Sequence, residues 1–120
     1  MSRPSRYAEA EPYVTRDGSL IRELMHPAVH DNHGSSLAEA TVDPGQTTLP
    51  HRHHVTEELY HVTAGTGDLH LADETLALGP GDTALIPPGV VHSITNTGDG
   101  PLRILCVCAP AYRHEDTEVL

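Results

Sequence analysis

Apolar residues along this chain come in short alternating runs, the pattern of strands whose successive side chains face opposite sides of a sheet. No window of about eleven residues keeps a helical apolar period, because ten prolines and ten glycines interrupt it. The pattern predicts strands at Tyr13 to Thr15, Leu20 to Leu24, Leu37 to Val42, Thr47 to His54, Glu58 to Ala64, Asp68 to Leu71, Thr75 to Leu78, Ala84 to Ile86, His92 to Asn96 and Leu102 to Val107. Many short strands at this spacing indicate an all-β sandwich or barrel. Asp17-Gly18, Ala72-Asp73-Glu74 and the stretch from Asn96 to Gly100 read as hairpin turns. His26 to Ser36 is the longest loop. Residues 1–12 and the acidic tail 114–120 are expected to be flexible arms.

At 120 residues the chain is expected to form a single domain, 1–120. Trp and Phe are absent, so Leu, Val, Ile and Ala must supply the core. Seventeen acidic residues against seven basic give a net charge of -10, which leaves no patch able to neutralise phosphates, so nucleic acid is not an expected partner. No apolar run approaches the ~20 residues that span a bilayer, and no apolar stretch follows the N-terminal arginines, so neither a membrane nor a secretory leader is expected and the cytoplasm is the expected location. Cys106 and Cys108 are spaced for one face of a strand. They suit neither a redox pair nor a four-cysteine zinc site, and are expected to be reduced packing residues.

Composition changes the picture most through its ten histidines. Gly45 to Gly65 reads G-x5-H-x-H-x4-E-x6-G, and Gly81 to Asn96 reads G-x5-P-x-G-x2-H-x3-N, with a 15-residue spacer between them. Strand parity sends His51 and His53 into the interior together, with Arg52 and His54 pointing away. A short loop then brings Glu58 in from the next strand, and His92 arrives after the tight turn Pro87-Pro88-Gly89. Three imidazoles and a carboxylate suit one divalent transition metal ion (Fe, Mn, Co, Ni, Cu or Zn). Four protein ligands leave two positions of an octahedral ion open for substrate, water or dioxygen.

The two segments resemble, residue for residue, the two motifs of the cupin superfamily, and the chain is identified as a small cupin with motif one at 45–65 and motif two at 81–96. The resemblance implies a jelly-roll antiparallel β-barrel, the metal ligands His51, His53, Glu58 and His92, and a homodimer. Glu57 adjoins Glu58, but the motif places six residues between the ligand and Gly65, which selects Glu58. Tyr60 shares the inner face of Glu58 and is a candidate acid or base. His54 and His61 should face outward, and His70 could face either way. His26, His30 and His33 share the long loop and form a candidate lid or second metal site. Asn96 should bond to backbone at a strand end, and Arg103 reads as an exposed arginine.

Cupins carry many chemistries on one scaffold, so the resemblance leaves three functions for a protein whose partner is a small organic molecule. A dioxygenase-type oxidoreductase comes first. The alternatives are a non-redox isomerase, cyclase, lyase or decarboxylase, in which the ion is only a Lewis acid, and a non-catalytic binding or sensing module. Sugar phosphates are disfavoured, because the only basic residue in the motif segments, Arg52, points away from the metal.

Overall fold

The computed structural model describes residues 4–120. Its strands are β1 (Tyr13–Val14), β2 (Leu20–Met25), β3 (Ser36–Val42), β4 (His51–His53), β5 (Glu57–Ala64), β6 (Gly67–Leu71), β7 (Glu74–Leu78), β8 (Thr83–Ile86), β9 (His92–Asn96), β10 (Leu102–Ala109) and β11 (Thr117–Val119). A six-stranded sheet runs β1-β2-β3-β10-β5-β8 and a five-stranded sheet β11-β4-β9-β6-β7. Every named pairing is antiparallel. The all-β jelly-roll barrel expected from the sequence is therefore what forms.

Alternation decides which side chains fill the barrel. Along β10, Leu102, Ile104, Cys106 and Cys108 are buried while the residues between them are only half-buried. β5 does the same with Glu58, Tyr60 and Val62. Val62, Leu69, Ile86, Ile94, Leu102 and Ile104, drawn from both sheets, are the most completely buried apolar side chains. Aliphatic groups thus make most of the core of a chain without Trp or Phe, with Tyr60 its one aromatic member.

Three predicted elements turn out differently. The strand expected over Thr47 to His54 shrinks to β4, preceded by an isolated bridge from Thr47 to Thr95. Pro50 has no N–H to give a ladder and breaks the pairing there. Asn96 to Gly100 is no hairpin, because β9 and β10 lie in different sheets. The Asn96 side chain donates to the carbonyls of Val42 and Gly100 and accepts from Gly98 N–H, which carries the chain across from one sheet to the other. The tail is no loose arm either. Its Thr117, Glu118 and Val119 pair with His53, Arg52 and His51, and its acidity is spent on ion pairs from Glu118 to Arg52 and His54.

Residues 1–3 of the expected N-terminal arm lie outside the described residues. Beyond them Tyr7–Glu9 make a 3-10 turn, and the Tyr7 hydroxyl donates to Glu39. No helix among the described residues is long and apolar enough to cross a membrane.

Candidate metal centre

Register places the four predicted donors. In β4 the i, i+2 spacing buries His51 and His53 on the inner face, and His51 is directly opposite His92 in the β4–β9 pair. The Pro87-Pro88-Gly89 turn aims His92. Gly89 takes φ +81°, a left-handed conformation that favours glycine, and its N–H donates to the His53 carbonyl at 2.7 Å. Glu58 comes across the barrel from β5 in the six-stranded sheet. Its neighbour Glu57 is exposed, so Glu58 is the carboxylate turned inward. The donor atoms of His51, His53, Glu58 and His92 all lie within 4.8 Å of one another, and all four residues are buried.

Hydrogen bonds at the outer ring nitrogens fix what the inner nitrogens present. His51 Nδ1 lies 2.9 Å from the Leu49 carbonyl, and His92 Nδ1 lies 3.1 Å from that of Val90. A carbonyl only accepts, so each Nδ1 carries the proton and each Nε2 is left with a lone pair. His53 Nδ1 lies 2.9 Å from Thr117 Oγ1, whose own proton goes to the Arg113 carbonyl, so here too Nδ1 is the donor.

Three Nε2 lone pairs thus converge on a carboxylate. Glu58 Oε1 is 3.2 Å from His53 Nε2 and 3.4 Å from His92 Nε2, and the latter nitrogen is buried without a hydrogen-bond partner. Lone pairs facing one another call for a cation between them. Donor atoms that all lie within 4.8 Å of one another are close enough to share a single ion. The donor set therefore fits a divalent transition metal ion, without selecting which.

Burial alone would raise the Glu58 pKa, but hydrogen-bond donation and positive charge from the His53 and His92 side outweigh it and hold the carboxyl below its usual range, so Glu58 is a carboxylate that asks for a proton or a cation at that position. Burial, followed by the charge of His92, lowers the His51 pKa and keeps its ring neutral. Burial and then the Glu58 charge push Tyr60, Cys106 and Cys108 upward, so all three stay protonated.

A cavity lined by His51, His53 and Glu58 opens beside the centre, with Ile21, Ala40, Val42, Ile94 and Ile104 on its apolar wall. Tyr60 lines it, its ring centroid 5.9 Å from that of His92. Both cysteines line it too, and Cys108 Sγ–H donates to Glu58 Oε2 at 3.4 Å. The sequence marked Asp17 only as a turn former. The β1–β2 hairpin does form around Gly18 at φ +92°, yet the Asp17 side chain is buried and turned into the cavity. Its Oδ1 accepts both N–H and Oγ–H of Ser19, its carbonyl accepts Leu49 N–H, and its Oδ2 lies 3.7 Å from His51 Nε2. Thr117 and Asp17 are the residues that sequence reasoning missed. The only signal for Asp17 was an acidic residue in a turn, which has an ordinary structural explanation.

The remaining candidates lie outside the centre. His54 is exposed and pairs with Glu118. His61 Nδ1 meets Thr83 Oγ1, and His70 bonds to the hydroxyls of Thr75 and Thr95. His26 binds its loop to the Tyr112 carbonyl through Nε2, while His30 Nδ1 accepts the backbone N–H of His26. His33 is exposed, and among the described residues none of these three joins a metal-holding group. Arg103 pairs with Glu39 at 3.6 Å on the outside of the barrel.

Comparison with known proteins agrees with this geometry. A family model described as a cupin domain matches residues 38–108. The chain is similar to an uncharacterized protein of Methanocaldococcus jannaschii, 47% identical over 97% of this chain and 93% of that protein. It is 31% identical to an oxalate-binding protein of Thermotoga maritima, over 73% of this chain and 69% of the other. Among solved structures, the polyketide cyclase RemF of Streptomyces resistomycificus superposes with a TM-score of 0.78 at 25% identity, covering 97% of this chain and 89% of that one.

Proposed function

Because this chain belongs to the cupin family, we propose that it is a metal-dependent enzyme that binds a small organic molecule through oxygen and carries out non-redox proton-transfer chemistry of the isomerase, cyclase or lyase type. The observation that carries this reading is the second carboxylate, Asp17. Its Oδ2 lies 3.7 Å from a donor nitrogen, while its Oδ1 is already occupied by Ser19. A divalent ion held by His51, His53, Glu58 and His92 supplies Lewis-acid polarisation of a carbonyl or hydroxyl oxygen.

Asp17 Oδ2 takes the proton that such a molecule gives up, held in place by a turn fixed at Ser19 and Leu49. Tyr60, kept protonated by burial, offers a proton from the same wall. Both side chains are buried, which limits the access of water to them. The Streptomyces structure is that of a polyketide cyclase and the Thermotoga relative is an oxalate-binding protein, and both support an oxygen-bearing organic ligand. The homodimer implied by the family resemblance belongs to this proposal and is tested by sedimentation equilibrium.

The dioxygenase reading uses the same four donors, so one experiment separates the two. Metal-loaded protein is incubated in heavy water with a panel of small keto and hydroxy compounds, with NMR and an oxygen electrode read together. Proton exchange, ring closure or loss of water without oxygen consumption, abolished in Asp17→Asn, is the expected result. Substrate-dependent oxygen uptake that Asp17→Asn leaves intact would overturn it in favour of the oxidative reading.

A further inference from the structure

A third carboxylate in the cavity, half-buried, has no part in the centre just described. Glu23 lies on β2 and lines the same cavity as the metal-holding group. Among the described residues its Oε1 is buried without a hydrogen-bond partner, and its Oε2 receives only the Tyr13 hydroxyl at 3.5 Å, the outer limit for such a bond. A buried carboxylate oxygen without a donor is costly; burial raises the Glu23 pKa against the opposing effect of the nearby His26 and His30, and no arginine or lysine lines the cavity that Glu23 shares with the metal centre.

Register gives its position. Glu23 pairs with Ala38, Ala38 with Cys106, and Cys106 with Tyr60. At about 4.8 Å per strand, Glu23 is about 14 Å from Tyr60 measured along the sheet, and less across the curved barrel. The inward-facing wall between them is apolar or thiol. Along this row, Ala38 and Cys106 separate the Glu23 carboxylate from the metal-centre end of the cavity.

We propose that Glu23 is the second anchor of the substrate: the cavity selects a neutral or cationic molecule that gives an oxygen to the metal centre at one end and a hydroxyl or amine donor to Glu23 at the other. The charge inventory points the same way. Asp17, Glu23 and Glu58 line the cavity with no basic side chain other than histidine, so a divalent ion offsets two of the three carboxylates and leaves no positive field for a phosphate or polycarboxylate. This inference deepens the metal-centred reading above and rests on it.

The test uses the full chain loaded with cobalt(II) and alkyl hydroxamates of increasing length as metal-binding probes, each with a methyl, hydroxyl or amino end. Binding is read from the visible spectrum of the cobalt. At one chain length the hydroxyl- or amino-ended probe binds about tenfold or more tighter than its methyl-ended partner, as a hydrogen bond to a charged acceptor allows. Glu23→Met abolishes that preference, leaves methyl-ended binding unchanged and does not lower the thermal midpoint. If the probes perturb the spectrum with no preference for a donor end, or if Glu23→Met keeps the preference, Glu23 is not the anchor and the metal centre stands. A cobalt spectrum that no hydroxamate perturbs overturns the metal-centred reading, and this proposal with it.

Discussion

Thr117 Oγ1 sits 2.9 Å from His53 Nδ1 and passes its own proton to the Arg113 carbonyl, so a residue of the last strand dictates which nitrogen of a motif histidine faces the centre. Thr117→Val keeps the shape and removes the acceptor, which frees the imidazole to turn. Metal affinity is expected to fall about 10- to 100-fold, and Thr117→Ser to restore it. Competition against a chromogenic chelator measures both. Equal affinities in all three proteins would show that Thr117 does not orient His53.

Asp116 binds the β4–β5 turn to the tail. Its carboxylate accepts the N–H groups of Val55 and Thr56, and it is buried. Burial alone would raise its pKa, but the bonds from Thr56 and Val55 outweigh it and hold the carboxyl below its ordinary value. A depressed carboxyl pKa adds stability above the unfolded-state value of about 3.9, and that stability is lost as the pH falls through the folded-state value. Asp116→Ala should cost about 1–3 kcal/mol at neutral pH by stranding two donors, and the difference from the native protein should shrink as the pH drops below about 4. Urea titrations at a series of pH values give the comparison, and a pH-independent difference would contradict it.

The four donors were legible because strand parity and glycine spacing act over a few residues. His51 and His53 need only the i, i+2 rule, and the loop that delivers Glu58 is short. What stayed hidden depends on distant pairing. Thr117 reaches His53 across 64 residues, and Cys108 reaches Glu58 across 50. A three-residue strand such as β11 is too short to show alternation, and its acidic surroundings resemble a solvated tail. Asp17 was hidden for another reason, since a turn explains an aspartate before a glycine and nothing local says where its second oxygen points. The break at Pro50 was readable, but the flanking run of threonines and histidines looked like one strand.

Gly65 closes the first motif for a steric reason. Its φ is +82°, and a Cβ there would lie 2.7 Å from the Pro101 carbonyl oxygen. Backbone on both sides cannot yield cheaply, because β5 and β10 pair alongside. Gly65→Ala is expected to destabilise the barrel by about 1–3 kcal/mol or more, read as a lower denaturant midpoint at an unchanged slope. An unaltered midpoint would mean that the β5–β6 corner is looser than this packing implies.

Whether His51, His53, Glu58 and His92 hold one divalent ion is decided by elemental analysis of native protein and His92→Ala, each isolated without added metal or chelator and then dialysed against a divalent metal salt. The native chain should carry close to one transition-metal ion, and His92→Ala, folded by circular dichroism, close to none. A native chain that takes up no ion, or a folded His92→Ala that retains a full equivalent, would contradict the assignment.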